Sequence, residues 1–211
     1  YRTNRTDEVA HSAPLQAFRE RMDAADLHET WDYADFGTVH AAFLLGRLLG
    51  SRRIDVGMKH SVSLDWQDVW NSNVVFIGKP DLNPIIRSFL AGRDFIDELG
   101  TIRNVRPQPG EVAEYVSAAT HGSGLKYAVI TRVPGPQPGR HLLLLNAAGA
   151  ELMWALAESV TNPALVTEML APLRLPSGKY AENFQAVIQA AFQSNVPVKI
   201  RCVAQHVLAA P

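Results

Sequence analysis

Asn73-Val74-Val75-Phe76-Ile77-Gly78-Lys79-Pro80-Asp81-Leu82-Asn83-Pro84-Ile85-Ile86-Arg87-Ser88-Phe89-Leu90 is the stretch whose reading decides the fold. Four apolar residues in a row, Val74–Ile77, predict a strand buried on both faces, the state of a central strand in a parallel sheet. Gly78, Lys79 and Pro80 turn the chain. Asn83 then suits an N-cap and Pro84 a first helical position, so Ile85–Leu90 reads as helix. A strand, a tight loop and a capped helix in that order specify an α/β fold.

Working outward, the segments before this unit are mainly helical. Pro14 opens a short helix over 15–22 after an irregular 1–13. Asp35-Phe36-Gly37-Thr38 forms a turn and N-cap for a helix over 39–49, whose apolar residues recur at helical spacing until Gly50. Ile54, Val56 and Met58 alternate with Asp55, Gly57 and Lys59 and read as a strand open on one face. A short helix over 64–70 follows, with Trp66 and Trp70 on one side.

Downstream the pattern turns antiparallel. Segments 101–105 and 114–118 flank a Pro/Gly turn, and 127–133 and 141–145 flank Pro134–Gly139. Helices are expected over 148–160 and 163–170. The last stretch, 184–208, alternates as a terminal hairpin, with a helix over 181–192 as its competitor. The whole predicts one α/β domain over 1–211: a three-layer sandwich with a mixed, partly parallel sheet and late antiparallel hairpins.

Composition narrows the function. The 211 residues are 47% hydrophobic and 19% charged, with 20 basic against 21 acidic side chains. A net charge of −1 gives no field to attract a phosphate backbone, so direct nucleic-acid binding is not expected. The longest apolar runs are too short to cross a bilayer, so no membrane insertion by this segment is expected. A single cysteine, Cys202, rules out an internal disulfide and reads as buried and inert within its strand. Tyr1 in place of a starting Met reads as the beginning of a piece of something longer.

The best candidate site is the loop that ends the opening strand. Ligands of open α/β sheets gather beyond the carboxyl ends of strands. There Gly78 allows close backbone approach, Lys79 brings a charge, and Asp81 and Asn83 border a helix start that suits a phosphate or carboxylate. Gly37 and Thr38 form a second helix start that could face the same crevice. The loop matches neither G-x-x-x-x-G-K-[ST] nor G-x-G-x-x-G. No histidine pair has metal-ligand spacing, so no metal and no cofactor are expected. The Asp65/Asp68 and Asp94/Asp97/Glu98 groups are spaced to share helix faces and read as surface charge. His121-Gly122-Ser123-Gly124 precedes a strand, the wrong context for a serine nucleophile.

Val74–Pro84 resembles the N-V-I-F-I-G-S-P-x-x-N-P segment of a bacterial family of acidobacterial type. In that family the globular domain often follows winged-helix or helical-repeat modules. Asp35–Val39, Ser63–Val69, Asn104–Tyr115 and Tyr127–Pro134 resemble further segments of the same family in the same order. Lys79 stands where the family tends to have Ser, and Ala148-Gly149 replaces a longer Gly/Thr-rich turn. The resemblance implies a sensory or interaction role beside other modules, and implies no catalytic residue.

These readings lead to a non-catalytic ligand-sensing or partner-binding module, with a small anionic ligand at Gly78–Asn83. Two alternatives stand beside it. One is a subunit that self-associates through its terminal hairpin. The other is an enzyme on a nucleotide-like or phosphorylated small molecule, with Lys79 as electrophilic anchor and His60 or Asp81 as general acid/base.

Overall fold

A computed structural model describes residues 34–80, 83–98 and 100–209. The chain divides into a first unit, Tyr1–Ala34, and a second, Asp35–Pro211, whose fold follows. The helix expected over 15–22 lies outside the described residues.

In chain order the elements are α1 (Phe36–Ser51), α2 (Trp66–Asn71), β1 (Val74–Ile77), α3 (Pro84–Ser88), β2 (Phe95–Glu98), β3 (Thr101–Asn104), β4 (Glu114–Val116), β5 (Ala118–Thr120), β6 (Ser123–Pro134), β7 (His141–Asn146), α4 (Ala150–Thr161), α5 (Pro163–Leu170), β8 (Phe184–Gln193) and β9 (Val196–Val207). The main sheet runs β1-β7-β6-β8-β9, with β5 paired to β6. β1 and β7 are parallel, in register Val74↔Leu142 to Ile77↔Leu145, and every other pairing is antiparallel. A second sheet, β2-β3-β4, is antiparallel throughout.

Three layers result. Alternation along the strands sends Ile130, Leu145, Ala186 and Ile188 to one face, where Leu152, Leu156 and Met169 of α4 and α5 and Ala41 and Leu45 of α1 meet them. Leu142, Leu144 and Val133 face the opposite way, under Val69 of α2 and Ile86 of α3. Farther along that second face Val129 and Val187 meet Phe95, Ile102 and Tyr115 of the small sheet. The expected α/β sandwich with a mixed sheet and late hairpins is therefore what forms. The terminal hairpin forms as well, closed by Ser194 and Asn195 at φ 51° and 64°, which match the twist of a two-residue hairpin turn.

Three expectations are corrected. β1 is parallel as expected but lies at the sheet's edge, not its centre, and Val75 is 37% exposed. Its apolar run reflects cover from α2 and α3 on one face, together with the parallel partner β7. Ile54–Met58 forms no strand, because no ladder accepts it. Phe95–Glu98 is a strand, so Asp97 and Glu98 share no helix face; two apolar residues are too short a run to signal one.

Gly37 explains how α1 seats. A Cβ on it would stand 1.9 Å from the carbonyl oxygen of Ala150, so only glycine lets the start of α1 touch the start of α4. Gly37→Ala is expected to lower unfolding stability by about 1–3 kcal/mol through overpacking against backbone, read from urea midpoints.

Candidate functional site

Gly78 continues the parallel ladder past β1, its N–H donating to the Leu145 carbonyl at 3.0 Å, and takes φ 133°, a conformation that favours glycine. Lys79 is exposed. Asp81 lies outside the described residues. Asn83 is 4% exposed and its side chain is fully engaged: Oδ1 accepts from the Ile85 and Ile86 amides, and Nδ2 donates to the Ser61 carbonyl at 2.8 Å. The amides that a bound anion would need are thus held by the cap, and α3 is only five residues long. Asn83 joins the Ser61–Ser63 turn to α3.

The second helix start is engaged in the same way. Thr38 donates both its amide and its hydroxyl to the Asp35 carboxylate, at 2.8 and 2.9 Å. Gly37 and Gly78 lie at the same, carboxyl, end of β1 and β7. They serve helices on opposite faces of the sheet, however: α1 packs with Leu145, α3 with Leu142 and Leu144. The sheet separates the two helix starts.

The other candidates have local roles too. His60 is exposed and its Nδ1 accepts from the Val62 amide. Asp65 and Asp68 form a reciprocal capping box at α2. Lys59 pairs with Asp68 at 2.5 Å; that hydrogen bond holds the carboxyl below, and the ammonium above, the ordinary value. His121 and Gly122 form the two-residue turn between β5 and β6. Burial pushes the Cys202 thiol up to about 12, so it is unreactive, as its apolar strand neighbours predict.

The end of α3, the residues that follow it and the small sheet build a cleft over the main sheet. Its volume is about 280 Å³, at the seam where the outer layer changes from α3 to the small sheet. Val129, Thr131, Leu144, Asn146 and Gln185 of β6, β7 and β8 form the floor. Arg87, Leu90 and Ala91 form one wall and Phe95–Asp97 the other. Asn146 ends β7 beside Gly78, and its side-chain carbonyl oxygen is buried with no donor in reach among the described residues. Arg87 is exposed on the wall, and its guanidinium meets no acceptor among the described residues. On the opposite face a groove of about 350 Å³ opens between α4, α5 and the sheet, lined mainly by Ile130, Leu143, Val160, Val166, Met169 and Leu170.

The small sheet is fixed to the cleft's floor by buried polar groups. Gln185, fully buried in β8, accepts from the Asp94 and Phe95 amides at 2.8 and 2.9 Å. It donates to the Phe95 carbonyl and the Thr131 hydroxyl, each at 3.0 Å. His206 of β9, 1% exposed, stands between two carboxylates: Nδ1 is 2.8 Å from Asp94 Oδ2 and Nε2 is 2.8 Å from Glu111 Oε2. With both carboxylates ionised, only the imidazolium donates from both nitrogens. Arg106 brings a guanidinium to 2.5 Å from Asp94 Oδ1. The Phe95 ring covers His206, centroids 4.4 Å apart. This cluster joins the two sheets, with His206 at its centre shut away from solvent. Its members are spread in sequence from Asp94 to His206; the one local signal is His206, at an inward position of the alternating stretch Val198–His206, whereas Gln185 falls on the side opposite Phe184, Ala186 and Ile188.

Among the described residues, no group of three or more His, Cys, Asp or Glu side chains could hold a metal ion. No described helix is long and apolar enough to cross a membrane.

The cluster predicts acid sensitivity. Burial pushes the Glu111 carboxyl up, but the Gln108 amide, His206 and Asn104 outweigh it and hold the group below its ordinary 4.5. A carboxyl lower in the folded state contributes stability that is full above the unfolded value and is lost as pH falls through the folded one. Urea midpoints followed from about pH 6 to about pH 3 should therefore fall more steeply for the native chain than for Glu111→Gln.

Compared with known proteins, the chain matches no family model, no curated sequence and no solved structure.

Proposed function

We propose that this domain is a non-catalytic binding module, and that the cleft beside α3 takes a small molecule carrying an acidic group. The observation that carries the reading is Asn146: a buried carbonyl oxygen without a donor costs about 1–3 kcal/mol and calls for a partner that no described residue supplies. Arg87, on the wall of the same cleft, offers a guanidinium suited to a carboxylate or phosphate. Leu90, Ile96 and Leu144 add short apolar contacts, the usual mixture of a small-molecule site. In this reading Gly78–Asn83 shapes the site by placing α3, and the ligand is held by α3 and the floor. A sensory role beside other modules, in a larger bacterial protein, fits such a site.

A thermal-shift screen of amino acids, short carboxylic acids and phosphorylated metabolites, followed by calorimetric titration, tests the proposal. A binder should appear, with Arg87→Ala weakening it about tenfold or more and Lys79→Ala leaving it unchanged. Asn146→Leu should abolish binding while stabilising the free protein by about 1 kcal/mol, since it removes the unsatisfied group. A screen without binders, or an Asn146→Leu variant that binds normally, would count against the cleft.

A further inference from the structure

Segment 54–60 alternates as a strand does, with Ile54, Val56, Met58 and His60 on one side and Asp55, Gly57 and Lys59 on the other, yet it belongs to no sheet. Its apolar side chains are far more exposed than a monomer's core pattern would leave them: Ile54 51%, Val56 49% and Met58 85%. Among the described residues, no amide from Asp55 to Lys59 meets a backbone carbonyl. A segment whose amides and carbonyls meet no backbone partner among the described residues, and which carries an apolar side, is the usual substrate of strand addition.

We propose that a second copy of this chain pairs with this segment, antiparallel, about a two-fold axis through Gly57. Charge selects both the occupant and the register. With Gly57 opposite its own mate, each Asp55 stands across from the other copy's Lys59, giving two opposite-charge cross-strand pairs on one side. On the other side Val56 meets Met58 twice, flanked by Ile54 and His60, so apolar faces apolar. A shift of two positions in one direction places Arg53 across from Lys59 and pairs like charges; a shift of one sets apolar residues against polar ones. Parallel pairing in register would oppose Asp55 to Asp55. Lys59 already holds Asp68, and its ammonium keeps two further donors for the mate's Asp55. Gly57 suits the axis, where the two backbones approach most closely, and a Cβ there would meet nothing within 4 Å.

Two strands of this length bury less than a standard interface, so the dimer is weak and concentration-dependent. Sedimentation of the chain from about 1 µM to about 500 µM should carry the mass from monomer toward dimer, and Asp55→Lys should return it to monomer. Gly57→Cys should cross-link to its own mate under mild oxidation, because residues facing each other on the axis have Cα atoms about 4.5–5.5 Å apart. Asp55→Cys should cross-link at least about tenfold more slowly, since its mate lies about 14 Å away along the strands. Cys202 is too shielded to interfere. A monomer at every concentration, or equal cross-linking from Asp55→Cys and Gly57→Cys, would overturn the proposal.

Discussion

The attachment of the small sheet to the main one depends on Gln185. A glutamine with no exposure in an interior strand is tolerable only if every polar atom is matched, and here all four hydrogen bonds are made. Its amide acts as a short length of extra backbone on the face of the main sheet, to which the residues leading into β2 pair at Asp94 and Phe95. That single attachment brings Asp94 to His206, and His206 to Glu111 on the loop between β3 and β4. The apolar contacts of Phe95, Ile102 and Tyr115 with Val129 and Val187 supply adhesion without direction. The polar groups supply the register.

The cleft follows from the same constraint. α3 is positioned by Asn83, whose amide caps the helix and ties it to the Ser61–Ser63 turn. β2 is positioned by Gln185. The two anchors are set independently, and the seam between the pieces they hold is the space into which Asn146 and Arg87 open. Asn83, which from the sequence borders an anion cradle, thus seats the helix that walls the cleft.

Much of this fold was legible in the sequence because strand-to-strand patterns are local. Val74–Ile77 and Leu142–Leu145 read as strands from their short unbroken apolar runs, and the alternation from Phe184 to His206 reads as a hairpin against a competing helix over 181–192. Position within the sheet was less legible: an apolar run says a strand is covered, and β1 is covered by helices while lying at an edge. Ile54–Met58 has a strand's pattern without a strand's partner, which no local rule detects. Asp94 looked like a surface acid because its partner, His206, lies 112 positions away. Asn83 was correctly seen as a helix cap, whereas Thr38 lies within the first turn of a helix that Asp35 caps. Which of cap and ligand would take their free groups was decided by geometry at the level of single hydrogen bonds.

The claim that Gln185 fastens the small sheet is tested most directly by amide hydrogen exchange on Gln185→Ala. The two unpaired amides left at Asp94 and Phe95 should accelerate exchange across β2, β3 and β4 by about tenfold or more, while β6 and β8 keep their protection. Uniform acceleration across both sheets, or none in the small one, would contradict this account.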